Sequence, residues 1–133
     1  MNHECEVRVR FCETDCAGHV NNTSYFIYLE EARGRFFEDI LPDQTDTVGR
    51  FIIASAQCDF LNQAYFKQRL KVATWVSKIG HTSMRFSHEI TSEAGERIAK
   101  GEATIVCFSY EAQQSEPIPA DLRMMLEEHL VTP

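Results

Sequence analysis

From about Thr23 to Ile40 the apolar positions recur every three and four residues. Tyr25, Leu29, Ala32 and Phe36 form one stripe, which the helical period places on a single face. Phe26, Ile27, Tyr28, Phe37 and Ile40 widen the stripe until it runs most of the way round, so the spacing predicts a helix covered on several sides. Glu31 with Arg35, and Glu30 with Arg33, make the remaining polar edge. Residues 5–12 alternate before the helix and predict a first strand; Pro42 to Gly49 reads as a polar loop after it.

Alternation then dominates to about residue 110. Between Ile52 and Phe60 the even positions Ile52, Ala54, Ala56, Cys58 and Phe60 make a core face, with Ser55, Gln57 and Asp59 on the other. Leu70 to Ile79 is a third strand, and Gly80-His81-Thr82 turns into a fourth. There Met84, Phe86, His88 and Ile90 point inward, His88 as a hydrogen-bonded core histidine, while Arg85, Ser87 and Glu89 point out. Glu93 to Glu96 is a hairpin turn. The fifth strand, about Ile98 to Tyr110, sets Ala99, Gly101, Ala103, Ile105 and Cys107 on one face, and its small residues would admit a closely packed helix. A polar connector from Gln113 to Pro119 leads to a short helix over about Ala120 to Leu130. The order predicts an α+β domain, because a helix this broadly apolar is buried by a sheet that curls round it.

At 133 residues the chain is one domain's length, read here as 1–133, and 44% hydrophobic with 25% charged residues is a globular balance. A net charge of −7 argues against nucleic-acid partners, whose affinity comes from positive charge. No apolar run approaches the ~20 residues a bilayer requires, and the N-terminal residues carry no export signal, so a cytoplasmic protein is expected. Five cysteines without a CxxC pair suit reduced thiols better than a disulfide framework. Cys12, Cys16 and His19 have the spacing of half a zinc hairpin but lack a second paired cluster, so neither metal nor other cofactor is expected.

The chemistry concentrates between Arg10 and Tyr25, where the first strand joins the helix. Asn21, Asn22, Thr23 and Ser24 are four successive N-cap candidates. The amides just after a cap lack helical partners and carry the positive end of the helix dipole, which suits an oxyanion. Asp15 lies on a loop that Gly18 lets turn back towards that helix start, so a carboxylate would face an amide hole.

The string Thr14-Asp15-x-x-Gly18-His19-Val20-Asn21-Asn22-x-x-Tyr25, followed by Leu29-Glu30-Glu31-Ala32-Arg33, resembles the signature of hotdog-fold acyl-CoA thioesterases of the 4-hydroxybenzoyl-CoA thioesterase type. Asp59-Phe60-Leu61 and Ile79-Gly80-x-x-Ser83 agree with the same pattern. The resemblance implies an antiparallel curved sheet of about five strands around one long helix, and hydrolysis of acyl-CoA to a free acid and coenzyme A. It makes Asp15 the catalytic carboxylate and the backbone around Asn22 and Thr23 the oxyanion hole, with Gly18, His19, Tyr25 and Ser83 at the substrate. Tyr25 reads equally as core or pocket wall. One branch of the family has a tyrosine where this chain has Phe11 and a histidine where it has Asn22; the His-Val-Asn-Asn string fits the long-chain acyl-CoA branch, and Gln63 stands where a proline is common. A homodimer at least, with a tetramer by resemblance, would set the site between subunits. The coenzyme's phosphates would need a local cluster drawn from Lys67, Arg69, Lys71, Lys78, Arg85, Arg97 and Lys100. The alternatives are a non-hydrolytic acyl-thioester binder of the same fold, and a metal or redox module on Cys12, Cys16 and His19.

Overall fold

A computed structural model describes residues 3–40 and 51–131; the loop expected over 42–49 lies outside them. The elements are β1 (His3–Arg8), a 3-10 turn (Phe11–Glu13), α1 (Asn22–Ile40), β2 (Phe51–Phe60), β3 (Arg69–Ile79), β4 (Ser83–Ser92), β5 (Arg97–Ser109), the short β6 (Gln114–Ser115) and α2 (Ala120–Glu127). Among the described residues the strands form one antiparallel sheet in the order β1-β3-β4-β5-β2, with β6 added to β5. The sheet wraps around α1, which is the hotdog arrangement that the resemblance implied.

The helix is held because its apolar face and the sheet's inner face each have nothing else to bury against. Tyr25, Tyr28, Leu29 and Ala32 pack with Leu70, Val72, Ile90 and Ile98 around the first half of α1. Phe36 and Phe37 pack with Val76, Met84, Phe86 and Ile105 around the second half, closed by Leu122 and Leu126 of α2. The small face of β5 has the expected use: a methyl group at Gly101 would collide with the Leu29 side chain. Along β4, Met84, Phe86, His88 and Ile90 are all buried.

Four expectations need correction. The first strand ends at Arg8, not residue 12, because the Glu13 carboxylate takes the Arg10 amide (2.8 Å) and so removes the donor that would extend the ladder. In β2 a bulge between Ile53 and Ser55 reverses the alternation. Phe51 and Ile53 oppose Cys107 and Ile105, while Ala56, Cys58 and Phe60 oppose Ala103, Gly101 and Ala99; the inward set is therefore odd before the bulge and even after it. On α1, Phe26 and Ile27 are exposed, whereas Arg33, expected on the polar edge, is buried. Finally, α2 stops at Glu127, since the next residues pair with β3: Val76 N donates to His129 O (3.1 Å) and Val131 N to Val76 O (2.9 Å). The Glu31–Arg35 pair does form on the surface, at 3.7 Å.

Candidate active site

The loop before α1 is tied at both ends. Thr14 bridges to Val20 and His19 to Tyr65, and Val20 N donates to Ala64 O (2.8 Å). Between them Asp15 N donates to His19 O (2.8 Å) and Gly18 N to Asp15 O (3.0 Å), a reversal that uses the positive φ of Gly18 (+84°). Asp15 Oδ1 accepts from Ala17 N (2.9 Å) and His19 N (3.2 Å). One carboxylate oxygen thus orders the loop, and among the described residues Oδ2 has no partner. The carboxylate is exposed. The His19 ring is half-buried and sits edge-on to Tyr65, centroids 5.1 Å apart.

Of the four cap candidates, Asn21 takes the role. Its Oδ1 accepts from Ser24 N and Ser24 Oγ, both at 2.9 Å. Helical geometry then leaves the amides of Asn22 and Thr23 without an acceptor among the described residues, at the positive end of α1. Both side chains are exposed, and Thr23 Oγ1 reaches Asn22 Oδ1 at 3.5 Å. Beside this helix start lies a cleft of about 400 Å³ lined by Val20, Asn22, Tyr25, Phe60, Leu61, Asn62 and Gln63. Tyr25 is both core and wall: its ring is buried, 5.2 Å from Phe60, and it lines the cleft. Burial pushes the Tyr25 phenol up.

Glu13 is the residue that sequence reasoning passed over. It is 6% exposed, and its carboxylate accepts from Arg10 N, from Arg10 Nε (3.1 Å) and Nη2 (2.9 Å), and from the buried Tyr28 hydroxyl (2.9 Å). Its backbone carbonyl accepts from Asn21 N (2.9 Å). A single residue therefore braces both the Asp15 loop and the helix start. Burial works to raise this carboxyl, but the hydrogen bonds from Arg10 and Tyr28 outweigh it and hold the group below its ordinary value. Burial and the adjacent Glu13 push the Tyr28 phenol up. The available signal was the three-residue spacing of Arg10 and Glu13, a charged pair directly before the loop.

Ser83 lies elsewhere. It lines a small hollow of about 70 Å³ with Lys78, Gly80, Met84, Arg85 and Thr104, at the end of the sheet remote from Asp15. His88 is hydrogen-bonded to Thr74 Oγ1 (3.0 Å) and Arg33 Nη1 (3.3 Å), and burial with the arginine's charge lowers its pKa to about 3. Phe11, where a branch of the family has tyrosine, is exposed and edge-on to Phe66. Cys12 and Cys16 are exposed, and all five cysteines are free thiols. Among the described residues, no three His, Cys, Asp or Glu side chains come together where they could hold a metal ion. No helix among them is long and apolar enough to cross a membrane.

With this geometry in place, comparison with known proteins is decisive. The family model described as "Thioesterase-like superfamily" matches residues 9–126, which includes the Asp15 loop, α1 and all the main strands after it. The chain belongs to the thioesterase-like superfamily. Its enzyme class is thioester hydrolase, as the resemblance implied. Among solved relatives in this superfamily, a predicted thioesterase from Bacillus stearothermophilus is 34% identical with a TM-score of 0.91, over 100% of this chain and 99% of that one. A thioesterase from Thermus thermophilus, solved in complex with coenzyme A and zinc, is 31% identical with a TM-score of 0.84, over 94% and 91% of the two chains. The long-chain acyl-CoA thioesterase FadM of Escherichia coli is 27% identical over 94% of this chain and 97% of its own length.

Proposed function

We propose that this chain, as a single domain acting in the cytoplasm, hydrolyses acyl-CoA thioesters to the free acid and coenzyme A. The observation that carries this reading is the arrangement at the start of α1. A carboxylate is anchored through one oxygen and open at the other, on a loop braced against a helix terminus whose amides at Asn22 and Thr23 have no acceptor. In one route Asp15 takes a proton from water as the water oxygen adds to the thioester carbon. In the other, Asp15 itself adds, expels the thiolate and leaves an acyl anhydride that water then opens. Both routes put negative charge on the carbonyl oxygen, where the two amides supply hydrogen bonds worth roughly 3–4 kcal/mol per donor in comparable sites. Thiolate leaves readily, so neither route needs a dedicated general acid. Gly18, His19 and Tyr25 shape the approach, and no metal takes part.

Two copies complete the site. As an edge strand β2 is ten residues long and carries a single charge, Asp59, whereas the other edge, β1, carries Glu4, Glu6 and Arg8. Unguarded edges pair. Exposed Ile53, Phe60, Phe26 and Ile27 continue the apolar surface beside it. Pairing β2 with β2 about a two-fold axis sets the Ser83 end of one sheet beside the Asp15 end of the other, and a further pairing of dimers makes a tetramer.

A thiol-release assay with a panel of acyl-CoA esters tests the reading. Asp15→Asn retains an acceptor for the Ala17 and His19 amides, and is expected to lower kcat at least tenfold, which is about 1.4 kcal/mol of transition-state stabilisation. A smaller loss removes Asp15 from the mechanism. Saturable acyl-CoA binding by the native protein without any thiol release identifies the non-hydrolytic binder instead.

A further inference from the structure

The outer face of the sheet carries a separate hollow of about 260 Å³, which shares no lining residue with the cleft at the start of α1. Strand register sets one row of side chains across it. Trp75 on β3 stands opposite Ser87 on β4, Ser87 opposite Glu102 on β5, and Glu102 opposite Gln57 on β2. The next row is Ala73, Glu89, Lys100 and Asp59. Ser87, at the centre of the first row, is only 8% exposed, yet among the described residues its hydroxyl has no hydrogen-bond partner. A hydroxyl withdrawn from water is costly unless something supplies the missing bond, and the open space that Ser87 faces is this hollow. The Trp75 indole beside it is half-buried, and among the described residues it has neither a ring partner nor an acceptor for its Nε1–H.

The charges around the hollow are not evenly answered. Lys100 has an acid across the ladder on both sides, Glu89 and Asp59, and Arg97 pairs with Glu89 at 3.0 Å. Glu102 has only neutral Ser87 and Gln57 across the ladder, and among the described residues no cation pairs with it. Arg85 shares the adjoining hollow with Glu102 but forms no ion pair with it. The charge left over is therefore negative, and it stands across Ser87 from an indole. Among the described residues no three acids, histidines or cysteines converge to hold a metal ion, so the cation that suits this place is organic.

We propose that the outer face of the sheet binds a small organic ammonium cation, held between the Trp75 indole and the Glu102 carboxylate over the Ser87 hydroxyl. Neighbouring strands lie about 4.8 Å apart, so Trp75 and Glu102, two strands apart, flank a gap of roughly 10 Å between their backbones. One ammonium group fills that width. The electron-rich ring attracts the cation, the carboxylate neutralises it, and Ser87 pairs with an N–H or O–H that the cation carries. The site is independent of the Asp15 chemistry and lies on the opposite face of the sheet from α1.

Trp75 is the chain's single tryptophan, so its fluorescence reports on the hollow directly. The test titrates native protein with choline, with its uncharged carbon isostere 3,3-dimethyl-1-butanol, and with sodium chloride matched to the choline salt in ionic strength. Choline is expected to give a saturable change in emission with a Kd of about 1 mM or tighter, and the isostere to bind about tenfold or more weakly. Glu102→Gln keeps the shape of an exposed side chain and should weaken choline about tenfold or more, from the loss of the carboxylate's charge-assisted contact. Trp75→Leu, followed by calorimetry because the fluorophore is gone, should weaken it about threefold or more. Circular dichroism of both variants checks that they fold. No saturable change with choline, or an equal response to the isostere or the salt, overturns the proposal. Sedimentation of the same proteins supplies a second way to fail: a variant that loses assembly mass, with no choline response in the native protein, assigns this face to a second copy of the chain instead.

Discussion

Two buried polar networks lie along the same helix and behave in opposite ways. At its first turns Glu13 accepts four hydrogen bonds and stays an anion; midway along, His88 touches Arg33 and Thr74 and stays neutral. Both are buried to nearly the same degree. What differs is the supply of donors. Burial penalises charge in each place, and only where backbone, guanidinium and phenol converge is the penalty offset. The anionic network touches the loop that carries Asp15, while the neutral one ties Arg33 of α1 and Thr74 of β3 to β4. Of the two, only the Glu13 network connects the elements on which the proposed site is built.

The largest expected break in this comparison is Glu13→Ala. It strands the buried Tyr28 hydroxyl and the Arg10 amide while leaving the exposed Arg10 guanidinium to water, and should cost about 2–3 kcal/mol for donors left unsatisfied, measured as a drop in urea midpoint. Activity should fall with it even at temperatures where the chain is folded.

Next comes acid sensitivity at His88. Its pKa of about 3 in the fold lies below the ordinary 6.5, so the unfolded chain takes up the proton first. Stability is full above pH 6.5 and is lost as pH falls towards 3, by about 2 kcal/mol at pH 5. Denaturation midpoints across this range should show that slope, and His88→Gln should remove most of it.

Tyr28→Phe sharpens the contrast. Deleting one hydroxyl that Glu13 accepts from should cost about 1–2 kcal/mol and loosen the Asp15 loop, seen as a lower kcat with little change in KM. The smallest effect belongs to Arg33→Met. A buried cation whose partner is a neutral imidazole is replaced by a side chain of similar volume, so stability should change by less than about 1 kcal/mol. The acid slope should flatten, because one of the two causes holding His88 neutral is gone.

Much of the fold was legible because periodicity is a local property that burial enforces. The Thr23 to Ile40 stripe became α1 within a residue, and the inward set of β4 is the one that alternation implied. Where prediction missed, a contact distant in sequence had intervened. Tyr28, fifteen residues away, meets the Glu13 that takes Arg10 from β1, and β5 sets the bulge that reverses β2. Phe26 and Ile27 have the composition of a core but face outward, since apolar spacing alone cannot say which part of a broad stripe the sheet will cover.

The order of strands and helix, the inward faces of β4 and β5, the glycine reversal at Gly18 and the Asp15 loop follow from residue types and their spacing, because steric limits and amphipathic period act over a few neighbours. Tertiary structure alone decided that Asn21 caps α1 rather than any of the three polar residues after it, that Glu13 braces the loop, and that Ser83 joins Lys78 and Arg85 at the sheet's far end. Those outcomes depend on which strands lie side by side and in what register, and register is settled by burial summed over the whole sheet.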